Sequence, residues 1–344
     1  MKIWKFGIIG AGLIADFHAK AIESLGNARL VGVCGTNKEK LKNLAAKYDC
    51  RSYSSHSELL ANDDIDIVTI ATPSGAHMEP AIEAAKRGKH VICEKPLEIS
   101  LDRIDNMIEA HASAGTRLGG IFNFRFSESL KPLKSALENG RFGTISFAAV
   151  YVPWWRGDDY YNDSWHGTWK LDGGGALINQ SIHMVDLLQY LMGPVESLQA
   201  YTATHGHNIE VEDTAAAVLR FRNNSLGAIY GSTASYPGQP RRIEITGTKG
   251  TVVMADDIIK VWEFADNTKA DKEIINKFSK AEGGGGASDP GAIPFQPHAK
   301  NISSFIESIE TGQEFEISGP EARKAVEIVL AVYKSAGEMK PYIF

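Results

Sequence analysis

The sequence predicts an α/β fold. An N-terminal doubly wound parallel sheet of the Rossmann kind is followed by an α/β domain with a large, open, mostly antiparallel sheet. Three observations carry this. Gly10-Ala11-Gly12-Leu13-Ile14-Ala15 follows an apolar run that starts at Phe6 and leads into helical spacing. Apolar runs then alternate with helical stretches as far as residue 122. After Asn123 the rhythm changes to longer alternating strands joined by hairpin turns. A chain of 344 residues also exceeds one ordinary core, so two domains are expected, at 1–123 and 124–344. The last helix, 320–337, is expected to pack back on the first domain.

Each element follows from its residues. Gly10 allows a tight turn, and Gly12 lets backbone approach a pyrophosphate. The N–H groups of Leu13 and Ile14, at a helix start, then face the phosphates. Residues 28–34 read as a strand and 38–48 as a helix. The second strand of such a fold normally ends in an acid that holds the ribose hydroxyls. Here Thr36, Asn37 and Lys38 stand there instead. They could donate to a 2′-phosphate, so the reading leans from NAD to NADP. The competing reading makes Lys38 a solvated first-turn residue.

Residues 65–71 form a fully apolar strand, and 76–87 are helical. Thr72 and Pro73 lie between them and His77 at the helix start, where they are expected to line a dinucleotide cleft. His77 either meets the ribose–nicotinamide half or is a surface residue at a helix start. The next strand, His90-Val91-Ile92-Cys93, runs into Glu94-Lys95-Pro96, and Pro ends the ladder because it has no N–H to donate. A Lys at the carboxyl end of a buried parallel strand sits where open α/β sheets bind ligands, and desolvation there makes it usable in proton transfer. The alternative is a Lys that only pairs with Glu94. A helix over 101–114 and a strand over 117–122 complete the first half.

The second half opens with a helix over 127–138. Strands follow at 145–154, 195–204, 214–222, 226–234 and 241–247, with hairpin turns at 222–225 and 248–250. One face of their sheet must be covered, by helices or by another subunit. Residues 281–297, with four consecutive glycines, read as a loop or lid, and helices at 299–310 and 320–337 close the chain. Three glycines, Gly173 to Gly175, precede a helix that runs to about Leu191. Asn179, His183, Asp186 and Tyr190 share one stripe of it. Either His183 is a satisfied core residue bonded to Asp186, or it faces a cleft with Asn179 orienting a substrate hydroxyl.

Composition narrows the function. Charged residues are well mixed at a net charge of −6, with no basic block, so no nucleic acid is expected. No apolar run is long enough to span a bilayer and no signal peptide precedes the first strand, so a cytoplasmic address is expected. Cys34, Cys50 and Cys93 form no disulfide framework. His205 and His207 with Glu210, Glu212 and Asp213 match no zinc spacing; no metal is expected, and a solvated loop is the better reading.

The glycine turn, Glu94-Lys95-Pro96 and the 173–186 stretch together closely resemble the Gfo/Idh/MocA oxidoreductases, which include glucose–fructose oxidoreductase and inositol dehydrogenase. The resemblance spans essentially the whole chain. It implies hydride transfer between C4 of nicotinamide and a ring carbon of a sugar or polyol, with Lys95 and His183 as the catalytic pair. Many members carry Asp where this chain has Asn179. That removes a carboxylate able to tune the pair, and it resembles the branch of UDP-N-acetylhexosamine 3-dehydrogenases. In this reading His183 is the general acid/base and Lys95 steadies the developing alkoxide, although the two roles could be exchanged. Asn179 positions the sugar, and Glu94 and Lys95 border the cofactor. Arg125, Trp154, Arg156 and Trp165 meet the substrate, or else belong to a packing cluster. A homodimer or homotetramer is expected. Two rival functions remain: a glycosidase acting by transient oxidation and elimination, and a non-catalytic dinucleotide-binding regulator.

Overall fold

A computed structural model describes residues 2–162, 165–280 and 295–344. Most of the glycine-rich stretch read as a lid, 281–294, lies outside the described residues. The chain begins β1 (Trp4–Ile9), α1 (Leu13–Glu23), β2 (Ala28–Cys34), α2 (Lys38–Lys47), β3 (Arg51–Tyr53), α3 (His56–Leu60) and β4 (Ile67–Ile70). It continues α4 (Met78–Lys86), β5 (His90–Cys93), α5 (Leu101–Ala114) and β6 (Leu118–Gly120). The six strands form one parallel sheet in the order β3-β2-β1-β4-β5-β6. That order reverses between β1 and β4, the switch point where a doubly wound sheet opens a crevice. β4 is buried throughout and β5 nearly so, which explains why both read as unbroken apolar runs. The helices start and stop at legible signals. Asn37 accepts the Lys40 N–H at the start of α2, and Gly115, at φ 66°, ends α5.

The second sheet follows α6 (Leu130–Glu138). It contains β7 (Ile145–Pro153), β8 (Val195–Ala203), β9 (Thr214–Phe221), β10 (Leu226–Ser232), β11 (Arg242–Gly247), β12 (Gly250–Ala255) and β13 (Ile258–Phe264). α7 (Ile182–Met192) lies between β7 and β8 in the chain. Then come α8 (Lys269–Phe278), α9 (Gln296–Thr311), α10 (Gly319–Glu338) and β14 (Tyr342–Ile343). The strand order is β13-β12-β11-β7-β10-β9-β8-β14, and of these pairs only β7 with β10 is parallel. β9 alternates buried and exposed residues, the mark of a sheet with one covered face.

Two compact units result. One holds Met1–Asn123, Lys170–Gly173 and Phe295–Val326, and the other holds Phe124–Trp169, Gly174–Pro294 and Glu327–Phe344. Lys170–Gly173 and residues 295–319, assigned by sequence to the second domain, group with the first, and so does the start of the last helix, which was expected to pack back on it. The reason is visible in side chains. Asn301 of α9 accepts the Phe122 N–H at 3.1 Å, and Gly119 of β6 leaves room for Phe305 and Phe315. Within this unit α10 also answers α5, where Arg323 pairs with Asp105 at 2.7 Å. Among the described residues no helix is long and apolar enough to cross a membrane.

Candidate active site

In the first unit the glycine turn is built as a cradle. Gly10 has φ +126°, and a Cβ there would lie 2.3 Å from the Ala71 carbonyl oxygen at the end of β4. A Cβ on Gly12 would meet nothing within 4 Å. The first glycine thus serves the turn, and the second keeps open space above it. No side chain caps α1, so its first N–H groups are left for an anion. Leu13 and Ile14 flank this space and are exposed, at 56% and 37%. An uncapped helix start, open space over Gly12 and apolar flanks fit a dinucleotide.

The predicted cofactor residues at the neighbouring strand ends differ in their duties. The Asn37 Oδ1 is committed to capping α2, while Thr36 and Lys38 are exposed. Thr72 donates its hydroxyl to the Ala76 carbonyl at 3.1 Å, and Pro73 is half-buried beside it. His77 is not a surface residue. It is fully buried, with Nδ1 3.0 Å from the Pro96 carbonyl oxygen and Nε2 3.0 Å from that of Thr72. It ties the β4 exit to the Glu94-Lys95-Pro96 turn instead of reaching outward.

Glu94 is likewise turned inward. Its Oε1 lies 2.8 Å from His18 Nε2 and 3.5 Å from His298 Nε2, and its Oε2 accepts the Lys95 N–H at 3.0 Å. Behind the imidazoles, Thr69 hydroxyl meets His18 Nδ1 and Asn123 amide meets His298 Nδ1. All donors are matched when each ring carries its proton on Nε2. Burial opposes ionisation of Glu94, yet the two imidazole donors outweigh it and hold its carboxyl well below the usual range. Burial in turn lowers the pKa of His18. The three ligating atoms lie within 4.8 Å of one another, close enough to share a cation. Their hydrogen bonds already complete them, so we read the cluster as a support for the turn that carries Lys95. Lys95 itself is half-buried.

In the second unit the helix after the three glycines starts with a π-helical turn, Ala176–Ser181, before α7 takes over. Such turns recur at functional sites because the extra residue shifts the side chains that follow. The predicted polar stripe divides. Asp186 is fully buried and bonds Arg125, with Arg125 Nε donating to Oδ2 at 2.7 Å and its NH2 group to Oδ1. The Arg125 guanidinium also stacks over Tyr190, 4.2 Å from the ring centre, and Lys134 donates to the Tyr190 hydroxyl. Arg125, expected to meet substrate, is therefore engaged in a buried ion pair. Asn179 and His183, the N-terminal half of the stripe, are half-buried. The His183 ring lies 4.6 Å from that of Phe124, whose ring also carries the Arg241 guanidinium at 3.9 Å.

Trp154 and Arg156 are buried, and Trp165 is half-buried. The Arg156 guanidinium lies over Trp154 and Tyr160, at 5.0 and 5.6 Å, and donates to the Trp155 carbonyl at 2.9 Å. These aromatic and cationic groups do come together within this unit. The loop around His205 is exposed at Thr204, His205, Gly206, Asn208 and Glu210, as a solvated loop should be, but it is anchored on a buried acid. Asp213 is fully buried and accepts from the N–H groups of His205 and Gly206, from His207 Nδ1 and from the Thr214 hydroxyl. Burial raises its pKa, but these donors outweigh it and hold the carboxyl low.

Sequence reasoning missed His18, His298, Phe124 and Tyr333, and weighed Glu212 only as a metal ligand. Only His18 left a trace, as a lone polar residue on the apolar face of α1.

Comparison with known proteins identifies the family. Residues 4–121 match the oxidoreductase family model described as an NAD-binding Rossmann fold, and 130–253 match the GFO/IDH/MocA C-terminal domain. The myo-inositol 2-dehydrogenase of Thermotoga maritima is 28% identical, over 98% of this chain and 97% of that protein. The glucose-6-phosphate 3-dehydrogenase of Bacillus subtilis is 30% identical, over 71% of this chain and 72% of its own. The structure of the WlbA dehydrogenase from Bordetella pertussis, in complex with NADH and UDP-GlcNAcA, superimposes with a TM-score of 0.91 at 35% identity, covering 100% of this chain and 98% of that one. The chain belongs to the GFO/IDH/MocA family and is a nicotinamide-dependent oxidoreductase of sugars or polyols.

Proposed function

We propose that this enzyme oxidises a ring hydroxyl of a nucleotide-linked sugar acid, with NAD as the working dinucleotide. The full-length 35% identity to a dehydrogenase solved with NADH and UDP-GlcNAcA carries this reading. Arg156 within its aromatic group supports a substrate that bears a carboxylate or phosphate. The match to an NAD-binding family model and the NADH in that solved neighbour support NAD. A ratio of kcat/KM for NADP+ over NAD+ above one would reverse that choice.

In the reaction we propose, His183 takes the hydroxyl proton and Lys95 hydrogen-bonds the reacting oxygen as negative charge develops. Asn179 fixes the sugar from the π-helical turn. Bound NAD supplies the hydride acceptor. Phe124 holds the plane of the His183 imidazole, and Glu94, pinned by His18 and His298, fixes the backbone from which Lys95 extends. The outward face of β8–β10 carries Tyr201, Val218 and Leu226, exposed at 63%, 62% and 50%. This supports assembly of copies of the chain over that face.

The test is a panel of UDP-GlcNAcA, myo-inositol and glucose 6-phosphate assayed with NAD+. Lys95→Ala and His183→Ala are each expected to lower turnover by roughly 100- to 10,000-fold on the best substrate. NADH affinity is expected to stay within about threefold, since the glycine cradle is untouched. Wild-type turnover in both variants would refute the assignment.

A further inference from the structure

The helix bearing Asn179 and His183 has an unusual start. Its cap position, Gly175, has no side chain to offer, and its backbone is held from elsewhere. Glu212, 37 residues downstream, accepts the Gly175 N–H on Oε2 at 2.9 Å and the Leu177 N–H on Oε1 at 2.8 Å. Its own backbone carbonyl accepts the Ala176 N–H at 3.1 Å. Three successive N–H groups at the helix start are thus satisfied by one residue. Tyr333 of α10 donates its hydroxyl to the same Oε1 at 3.0 Å.

The glycines fit this grip and nothing larger would. A Cβ on Gly174 would lie 2.3 Å from the Tyr333 hydroxyl, and one on Gly175 would lie 1.7 Å from the Glu212 carbonyl oxygen. The carboxylate therefore fixes both the height and the rotation at which the π-helical turn begins. Asn179 follows directly, its N–H bonded to the Gly175 carbonyl at 3.1 Å, and His183 comes one turn later.

We propose that Glu212 and Tyr333 are positioning residues for hydride transfer: they set the register of the π-helical turn and so the aim of Asn179 and His183. This rests on the assignment of His183 to proton transfer. An amide at position 212 would accept through one oxygen and present an NH2 group to the other backbone N–H. Two donors would then face each other, and the turn would rotate or unwind to separate them. Small displacements of a reacting group are costly in rate, up to about 100-fold for roughly 1 Å.

The experiment uses Glu212→Gln and Tyr333→Phe, with rates normalised to the concentration of NADH-binding sites. The substrate is whichever panel member the wild type oxidises fastest, with and without deuterium at every ring carbon. Glu212→Gln is expected to lower kcat by roughly 10- to 100-fold and to raise the deuterium isotope effect on kcat, because chemistry becomes the slow step. Tyr333→Phe, which removes one of three donors and leaves the glycine contacts intact, is expected to shift both quantities the same way by about two- to fivefold in kcat. A purely structural role reduces the number of active molecules and leaves the isotope effect where it was. Wild-type kcat in both variants, or lowered rates with an unchanged isotope effect, would overturn the proposal. His183→Ala separates the two levels. If it keeps full turnover, the catalytic assignment and the positioning role fall together. If it loses turnover while Glu212→Gln keeps the wild-type rate and isotope effect, only the positioning role falls.

Discussion

Two buried carboxylates, Glu94 and Glu212, show how the same group takes opposite pH dependence from its surroundings. Around Glu94 the imidazole donors win over burial, so its folded pKa is depressed. Its contribution to stability is present above the unfolded value and is lost on acidification. His18 has the same sign, because burial favours its neutral form. Around Glu212, burial outweighs the Leu177, Tyr333 and Gly175 donors and pushes the carboxyl up to about 7 from an ordinary 4.5. A raised carboxyl stabilises below its unfolded pKa and loses that contribution as the pH climbs through its folded one. The loss is about 3 kcal/mol. Denaturant unfolding of wild type and Glu212→Gln at about pH 5 and about pH 8 checks the sign. The stability advantage of wild type over the variant should shrink by about 3 kcal/mol at the higher pH. An advantage that grows with pH would mean that the donors, not burial, dominate at Glu212.

At the scale of elements, the glycine turn makes two neighbouring substitutions diverge. Gly10→Ala must place a Cβ against the Ala71 carbonyl in a left-handed backbone, so it should destabilise the fold by roughly 2 kcal/mol or more. Gly12 has an ordinary φ of −86° and free space around it. Gly12→Ala should therefore keep the melting temperature and lose NADH affinity by roughly 10- to 100-fold, because its methyl enters the space reserved for the pyrophosphate. Calorimetry beside NADH fluorescence titration distinguishes the two, and equal losses in both variants would contradict this reading of the turn.

Elements with a strong internal period were legible. β4, β5, α5 and α10 follow directly from apolar runs and helical spacing. The misses have physical reasons. β3 is a three-residue edge strand with two exposed residues, and α3 is too short for a period to show. The β12–β13 hairpin turns on Asp256 and Asp257, both at positive φ, a conformation that Asn-Gly or Asp-Gly announces more plainly. In α8 the apolar stripe is short, Ile274, Ile275 and Phe278, and only half-buried, so it is easily passed over.

For the molecule as a whole, the parts of the candidate site written in consecutive residues could be proposed from the sequence, and those assembled across the chain could not. Glu94-Lys95-Pro96 and the Gly173–Asp186 stretch announce themselves locally. The polar stripe on α7 did not reveal that Arg125 would take Asp186, because that pairing joins segments 61 residues apart. Nor could Glu212 be connected with Tyr333, 121 residues away, before the second sheet and α10 were in place. Carboxylate partners depend on topology, whereas glycine turns and strand-end motifs depend on neighbours. Relatives named for inositol and glucose 6-phosphate, and a neighbour solved with a nucleotide sugar, resemble one chain, and in our proposal Arg156 and its aromatic surroundings take part in the choice of substrate.

Net oxidation is the central claim, and counting the reduced cofactor against the product tests it most directly. UDP-GlcNAcA incubated with the enzyme and excess NAD+ should yield one NADH for each keto-sugar formed. Release of the sugar from its nucleotide with no accumulation of NADH would contradict the account, and would make the chain a glycosidase that borrows its hydride and returns it.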